Sequence, residues 1–461
     1  MARLRLILIA AVLGTAISLA QNEHADKAAG YVQRGDLKSA EAELRKAVEL
    51  SPSDPALLTS LGGILGMEGD LRQAHVYLAK AAKLNPADPL IARNLAANEW
   101  QTGRFREARE RLEPLVKSNP GDRQAVFLLG MVSENERNYA RAISLLESIP
   151  DIVDRQPEAL VALASSYYHS NRPAEGETVL QKLLRGPVRP QVTFQAGRVA
   201  LDARDYVLAE NLLYSIRSTH PDPASVNALL AQAEYRQGHA AEAEKILADA
   251  VHSGHSNLDA DLLFCKVLAD RGAFENALQI AGAAAQSHPD SYQAFLTQGA
   301  MQMKLRYYAD AAHSLQKAAT IHPSAETQRE LAVAEWRAGD RQNAGALFDQ
   351  TMRQFPRDAQ TFQAYGTVLL EDASPENQSR AANLLEKALA NDGTLVEARL
   401  QLANLALAGG KPEAALHHLE KALATDANDS RLHFALSRVY GRLGRDADAD
   451  REMQTYQRLK K

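Results

Sequence analysis

Residues 331–339 read LAVAEWRAG, residues 95–103 read LAANEWQTG and residues 230–238 read LAQAEYRQG. The chain's only two tryptophans, Trp100 and Trp336, occupy the same place in two of these copies, and Tyr235 takes it in the third. Each copy ends on a glycine, and reading outward from those glycines exposes a period. Gly35, Gly69 and Gly103 are spaced by 34 residues, as are Gly238 and Gly272, and Gly410 and Gly444; Gly339 recurs in the same role. Pro52, Pro86 and Pro120 keep the same step, and so do Ala40, Ala74, Ala108 and Ala142. Trp100 and Trp336 lie 236 residues apart, seven such periods less two single-residue slips, placed near Pro190 and Ala325. A fixed period of this length means one supersecondary unit repeated and stacked.

One period, DPLIARNLAANEWQTGRFREARERLEPLVKSNP, reads as two helices. Leu95 and Ala96 carry the buried stripe of the first, and Ala108, Leu112 and Leu115 that of the second. Gly103 can adopt the left-handed conformation that closes a helix. Pro120 cannot continue the second helix. Ala96 and Ala108 are small enough to let the paired helices approach. Such a hairpin has one apolar side too many and can bury it only against a neighbour.

This unit resembles the tetratricopeptide repeat, a 34-residue helix–turn–helix. The resemblance is carried by LAANEWQTGRFREARERLEPLVKSNP, LGGILGMEGDLRQAHVYLAKAAKLNP and LANLALAGGKPEAALHHLEKALATDA. It extends over residues 21–461 as about thirteen units, starting near 21, 55, 89, 123, 157, 190, 224, 258, 292, 325, 359, 396 and 430. The resemblance implies an all-α, right-handed superhelical solenoid whose first helices line a concave face. Three units depart from the pattern. The unit at 157 has Gly176 where alanine is expected and ends in RGPVRPQ, which predicts a weak second helix. The unit at 359 carries extra residues around EDASPENQS, which predicts a loop between its helices. The last unit ends in YQRLKK without an extra capping helix.

The composition agrees with a folded helical chain: 46% hydrophobic and 24% charged residues with only 18 prolines among 461. A net charge of −5 with no long run of one sign excludes a nucleic-acid footprint. The single cysteine, Cys265, excludes an intramolecular disulfide. The first twenty residues, MARLRLILIAAVLGTAISLA, differ from the rest. Arg3 and Arg5 precede an apolar run, and Ser18 and Ala20 sit where a signal peptidase would cut before Gln21. The expectation is an exported protein, periplasmic or secreted. An uncleaved anchor helix is the alternative, and it is the only membrane link this sequence offers.

No catalytic constellation stands out. LGGILG at 61–66 falls on a first helix and lacks the lysine of a phosphate loop, so its glycines read as packing positions. His252 and His255 have HxxH spacing but no third ligand close by. His220, His288 and His322 each precede a unit-ending proline, where a partial positive charge suits the helix C-terminus. Cys265 takes the slot of Ala96 and Ala231 and reads as a spacer. The expectation is therefore a non-enzyme without cofactor or metal.

The candidate binding residues come from register. Counted from each unit's start, Trp100, Tyr168, Tyr235 and Trp336 are position 12, and Arg93 and Arg329 are position 5, two turns earlier on the same face. Aromatic rings beside arginine suit a recognition groove. The same rings could instead pack on the next first helix. Specialised ligand modes of the family do not transfer: Thr59, Gly63, Arg93 and Asn94 are not a carboxylate clamp, and position 6 holds asparagine only at Asn94, not at Ser60, Leu128, Ala162 or Leu229. Two functions remain. The first is an exported scaffold binding protein or extended peptide partners on the concave face; the second is an accessory factor in envelope polysaccharide assembly or export.

Overall fold

The computed structural model describes residues 23–372 and 374–460. The signal-like segment 1–20 lies outside the described residues. Among them every regular element is helical, and the helices pair into hairpins. First helices include Pro55–Glu68, Pro89–Gln101, Arg123–Asn135, Pro157–His169, Ala325–Ala338 and Ser430–Arg442. The chain divides into two compact units, Met1–Gly238 and His239–Lys461. The all-α hairpin array expected from the period is what the chain forms.

The hairpin Pro89–Gln101 and Phe105–Ser118 shows why. Asp88 accepts from the backbone N–H groups of Leu90 and Ile91, at 2.8 and 3.3 Å, and Pro89 takes the first helical position. Both devices satisfy or dispense with donors that a helix start leaves free. Gly103 then turns the chain with a φ of 76°. The same turn position carries Arg137, Asn171, Arg204 and Arg306 in other hairpins, with φ between 58 and 64°. Left-handed backbone is thus demanded by the turn even where the sequence does not offer glycine.

Packing between the two helices of a hairpin pits a small residue against a large one. Ala96 lies at the crossing with Leu112, and Ala332 occupies the same slot opposite Phe348; all four are fully buried. Where the slot holds glycine, a Cβ would sit 2.6 Å from Leu78 at Gly62 and 2.5 Å from Leu315 at Gly299. Gly62 of LGGILG is such a packing position. Cys265 fills the same slot, fully buried, and donates to the Ala277 carbonyl at 3.4 Å. Burial pushes its thiol up to about 12, which leaves no thiolate near neutrality.

The irregular hairpins have local causes. The second helix Pro173–Gln181 is short and runs into a 3₁₀ turn, Lys182–Arg185. Gly176 belongs there because a Cβ would press within 3.0 Å of the Tyr168 ring. Helix Ala359–Leu369 stops early, and its partner Pro375–Asn391 is the longest second helix. Pro150 cuts the helix Tyr139–Glu147 short, a break the periodicity had not flagged. Each second helix in the regular part packs on the first helix of the next hairpin. Successive first helices, such as Pro55–Glu68 with Pro89–Gln101 and Ala325–Ala338 with Ala359–Leu369, also touch. Within each unit the first helices therefore form the inner layer and the second helices the outer one.

Candidate functional site

The position-5 arginines do not stand free in a groove. Arg93 donates through one Nη to both carboxylate oxygens of Asp122, each at 2.8 Å. Arg329, only 8% exposed, reaches Asp358 at 3.2 Å. Both aspartates lie 29 residues downstream and cap the next first helix, Asp122 through the Ala125 N–H and Asp358 through the Thr361 N–H. The arginine therefore fastens one hairpin to the helix start of the next. The recurring Arg and Asp at a spacing of 29 are legible in the sequence; their pairing follows from the stacking of successive hairpins.

The position-12 rings also reach the following hairpin. Trp100 is partly exposed and donates its Nε1–H to Asn135 Oδ1 at 2.7 Å. Tyr168 donates its hydroxyl to Asp205 at 3.2 Å, and burial holds the phenol well above its usual pKa. Asp205 in turn caps helix Tyr206–Ser215. Tyr235 is partly buried. Trp336 takes the packing alternative rather than the groove: it is only 7% exposed, edge-on to Tyr365 at 6.3 Å, with the Arg341 guanidinium 5.3 Å over its face. Its Nε1 is buried without a hydrogen-bond partner. The reason is the neighbourhood. Tyr365 and Phe348 stack at 4.4 Å beneath it, where the Trp100 hairpin has the smaller Leu129 and Leu112. Glu371, in register with Asn135, is already taken by Arg337 at 3.0 Å. Packing on the next hairpin is thus what these rings do, and part of Trp100 and of Tyr168 remains at the surface.

The histidines before the prolines make local contacts. His220 stacks on Phe194 at 4.8 Å and His322 on Tyr292 at 4.4 Å. Among the described residues no group of three or more His, Cys, Asp and Glu could hold a metal ion, and no helix is long and apolar enough to cross a membrane.

Sequence models of the tetratricopeptide repeat match residues 67–129, 200–263 and 377–433, and a second such model matches 31–54. The chain carries tetratricopeptide repeats in these segments. No curated protein matches it. Similar solved structures include the APC/C hetero-tetramer Cut9–Hcn1, with 14% identity over 98% of this chain and 96% of that chain and a TM-score of 0.41. Yeast Tom70 is another, with 15% identity over 95% and 91% and a TM-score of 0.45. Among the hairpins of this chain, those holding Trp100 and Trp336 share a motif and differ in what surrounds it. The glutamate before each tryptophan, Glu99 and Glu335, was passed over in the sequence. Glu99 is paired with Arg111, whereas Glu335 Oε2 is buried without a hydrogen-bond partner.

Proposed function

We propose that this protein is a non-catalytic interaction scaffold, exported from the cytoplasm, that takes protein or extended peptide partners along the inner layer of first helices. The tetratricopeptide repeats support the scaffold reading. The observation that carries the face is the layering itself: first helices lie side by side, and Trp100 and Tyr168, both carried on first helices, are only partly buried. Each ring already has its polar atom bonded, so a partner would cover it at little cost in desolvation. Export is supported by Arg3, Arg5 and the apolar run that follows them.

A display library of extended peptides, panned against the full chain and again against a Trp100→Ala, Tyr168→Phe variant, tests the face. Binders that lose tenfold or more on the variant, assayed well below its melting temperature, are expected. Binders indifferent to both residues would move the site elsewhere. Fractionation with N-terminal sequencing tests export: Gln21 as the first residue outside the cytoplasm is expected, and an intact Met1 in the cytosol refutes it.

A further inference from the structure

Glu99 and Glu335 stand at position 11 of their hairpins, in LAANEWQTG and LAVAEWRAG. Glu99 is buried and accepts from Arg111 Nε at 2.9 and 2.8 Å, so its charge is answered twelve residues down its own hairpin. At the matching place after Glu335 the chain has Leu347, and where the first hairpin has Arg104 the second has Asp340. Both nearby cations are gone and one anion is added. Glu335 Oε2 is buried without a hydrogen-bond partner.

Glu335 lines a pocket of about 510 Å³ formed by its own first helix, Ala325–Ala338, and the two second helices before and after it, Tyr308–Ile321 and Arg341–Gln354. Leu331 and Leu347 share its floor, and the exposed amides of Gln316, Asn343 and Gln350 stand at its rim. A carboxylate with one oxygen held out of water and unbonded calls for a cationic donor. The rim amides offer further carbonyl acceptors, and the leucines offer a surface for an aliphatic stem. A planar group with five donors on a hydrocarbon stem meets all three conditions. The Glu99–Arg111 pair is the same arrangement completed within one hairpin.

We propose that this pocket binds the guanidinium of an arginine side chain supplied by a partner polypeptide. The site takes its walls from two second helices as well as one first helix, and gives the scaffold a second point of grip. It rests on the scaffold reading for the source of the arginine.

The test uses the full chain and N-acetyl-arginine methylamide as probe, followed by saturation-transfer NMR and calorimetric titration. The matching citrulline, lysine and free arginine compounds are run beside it. The arginine methylamide is expected to bind, and the uncharged citrulline compound to bind at least tenfold more weakly. Glu335→Gln should weaken the arginine probe tenfold or more, and Leu347→Arg should abolish its binding by supplying the guanidinium from within. Melting curves check that both variants fold. Equal binding of citrulline, equal binding of lysine, or indifference to Glu335→Gln overturns the guanidinium site. Free arginine binding more tightly than the capped compound overturns the partner source in favour of a small molecule. Display-selected peptides that depend on Trp100 but not on Glu335 leave the scaffold face standing and remove this pocket's role in it.

Discussion

The hairpins around Trp100 and Trp336 begin from one nine-residue phrase and end in different environments. In the first, the ring is partly open, its N–H is bonded to Asn135 and the adjacent Glu99 is locked to Arg111. In the second, the ring is closed over by Tyr365 and Phe348, its N–H is unpaired and the adjacent Glu335 faces a pocket. A repeat motif therefore specifies the helix and its register, and leaves the service each residue performs to the hairpin stacked upon it.

Removing the rings should break the likeness most sharply. Trp336→Ala is expected to cost about 3–5 kcal/mol, as for other large buried aromatics. Trp100→Ala, at a partly exposed site, should cost about 1–2 kcal/mol. Urea denaturation of the two variants measures both, and equal losses would mean the two sites are packed alike.

The glutamates should respond in opposite directions. Glu99→Gln leaves Arg111 with a neutral partner, and since Arg111 is itself 39% exposed the loss should be about 1–2 kcal/mol. Glu335→Gln removes a charge that has no partner and should leave stability unchanged or raise it by up to about 1 kcal/mol. A loss at Glu335 as large as at Glu99 would reveal a cation beside it.

A pH series tests the Glu335 side of this comparison. Burial first, then Asp340, holds the Glu335 carboxyl above its ordinary value. A carboxyl whose pKa is higher folded than unfolded favours the fold only while protonated, and that advantage is lost as pH rises through the folded value. Wild type and Glu335→Gln should therefore be equally stable below about pH 4, near the unfolded glutamate pKa. The variant should pull ahead above it. Melting temperatures from pH 3.5 to 7.5 check this, and a gap that closes toward neutral pH would reverse the sign.

The smallest effect is expected at the turns. Both tryptophan hairpins close on glycine, Gly103 and Gly339, whereas the hairpin before the second closes on Arg306 at a φ of 64°. Arg306→Gly should gain about 0.5–1 kcal/mol by relieving that backbone, and Gly339→Ala should lose about 1 kcal/mol. Thermal melts resolve both if run as a pair, and matching signs would deny that the turn demands left-handed backbone.

What the sequence by itself determined was local or strictly periodic. The small residues at Ala96, Ala108 and Cys265, the glycine turns and the weakness of the second helix after Gly176 all follow from spacing within one hairpin. They answer to helix geometry and to a contact that every unit repeats. Tertiary structure alone decided what depends on the neighbour. Arg93 and Arg329 were placed on a lining face by register, yet each ends on an aspartate 29 residues further on. Which tryptophan is buried turned on Tyr365 and Phe348, and whether a glutamate is paired turned on Arg111 or Leu347 across the hairpin. Those choices rest on side-chain volume and charge at facing positions of stacked helices, where a single exchange changes the contact while the period stays the same.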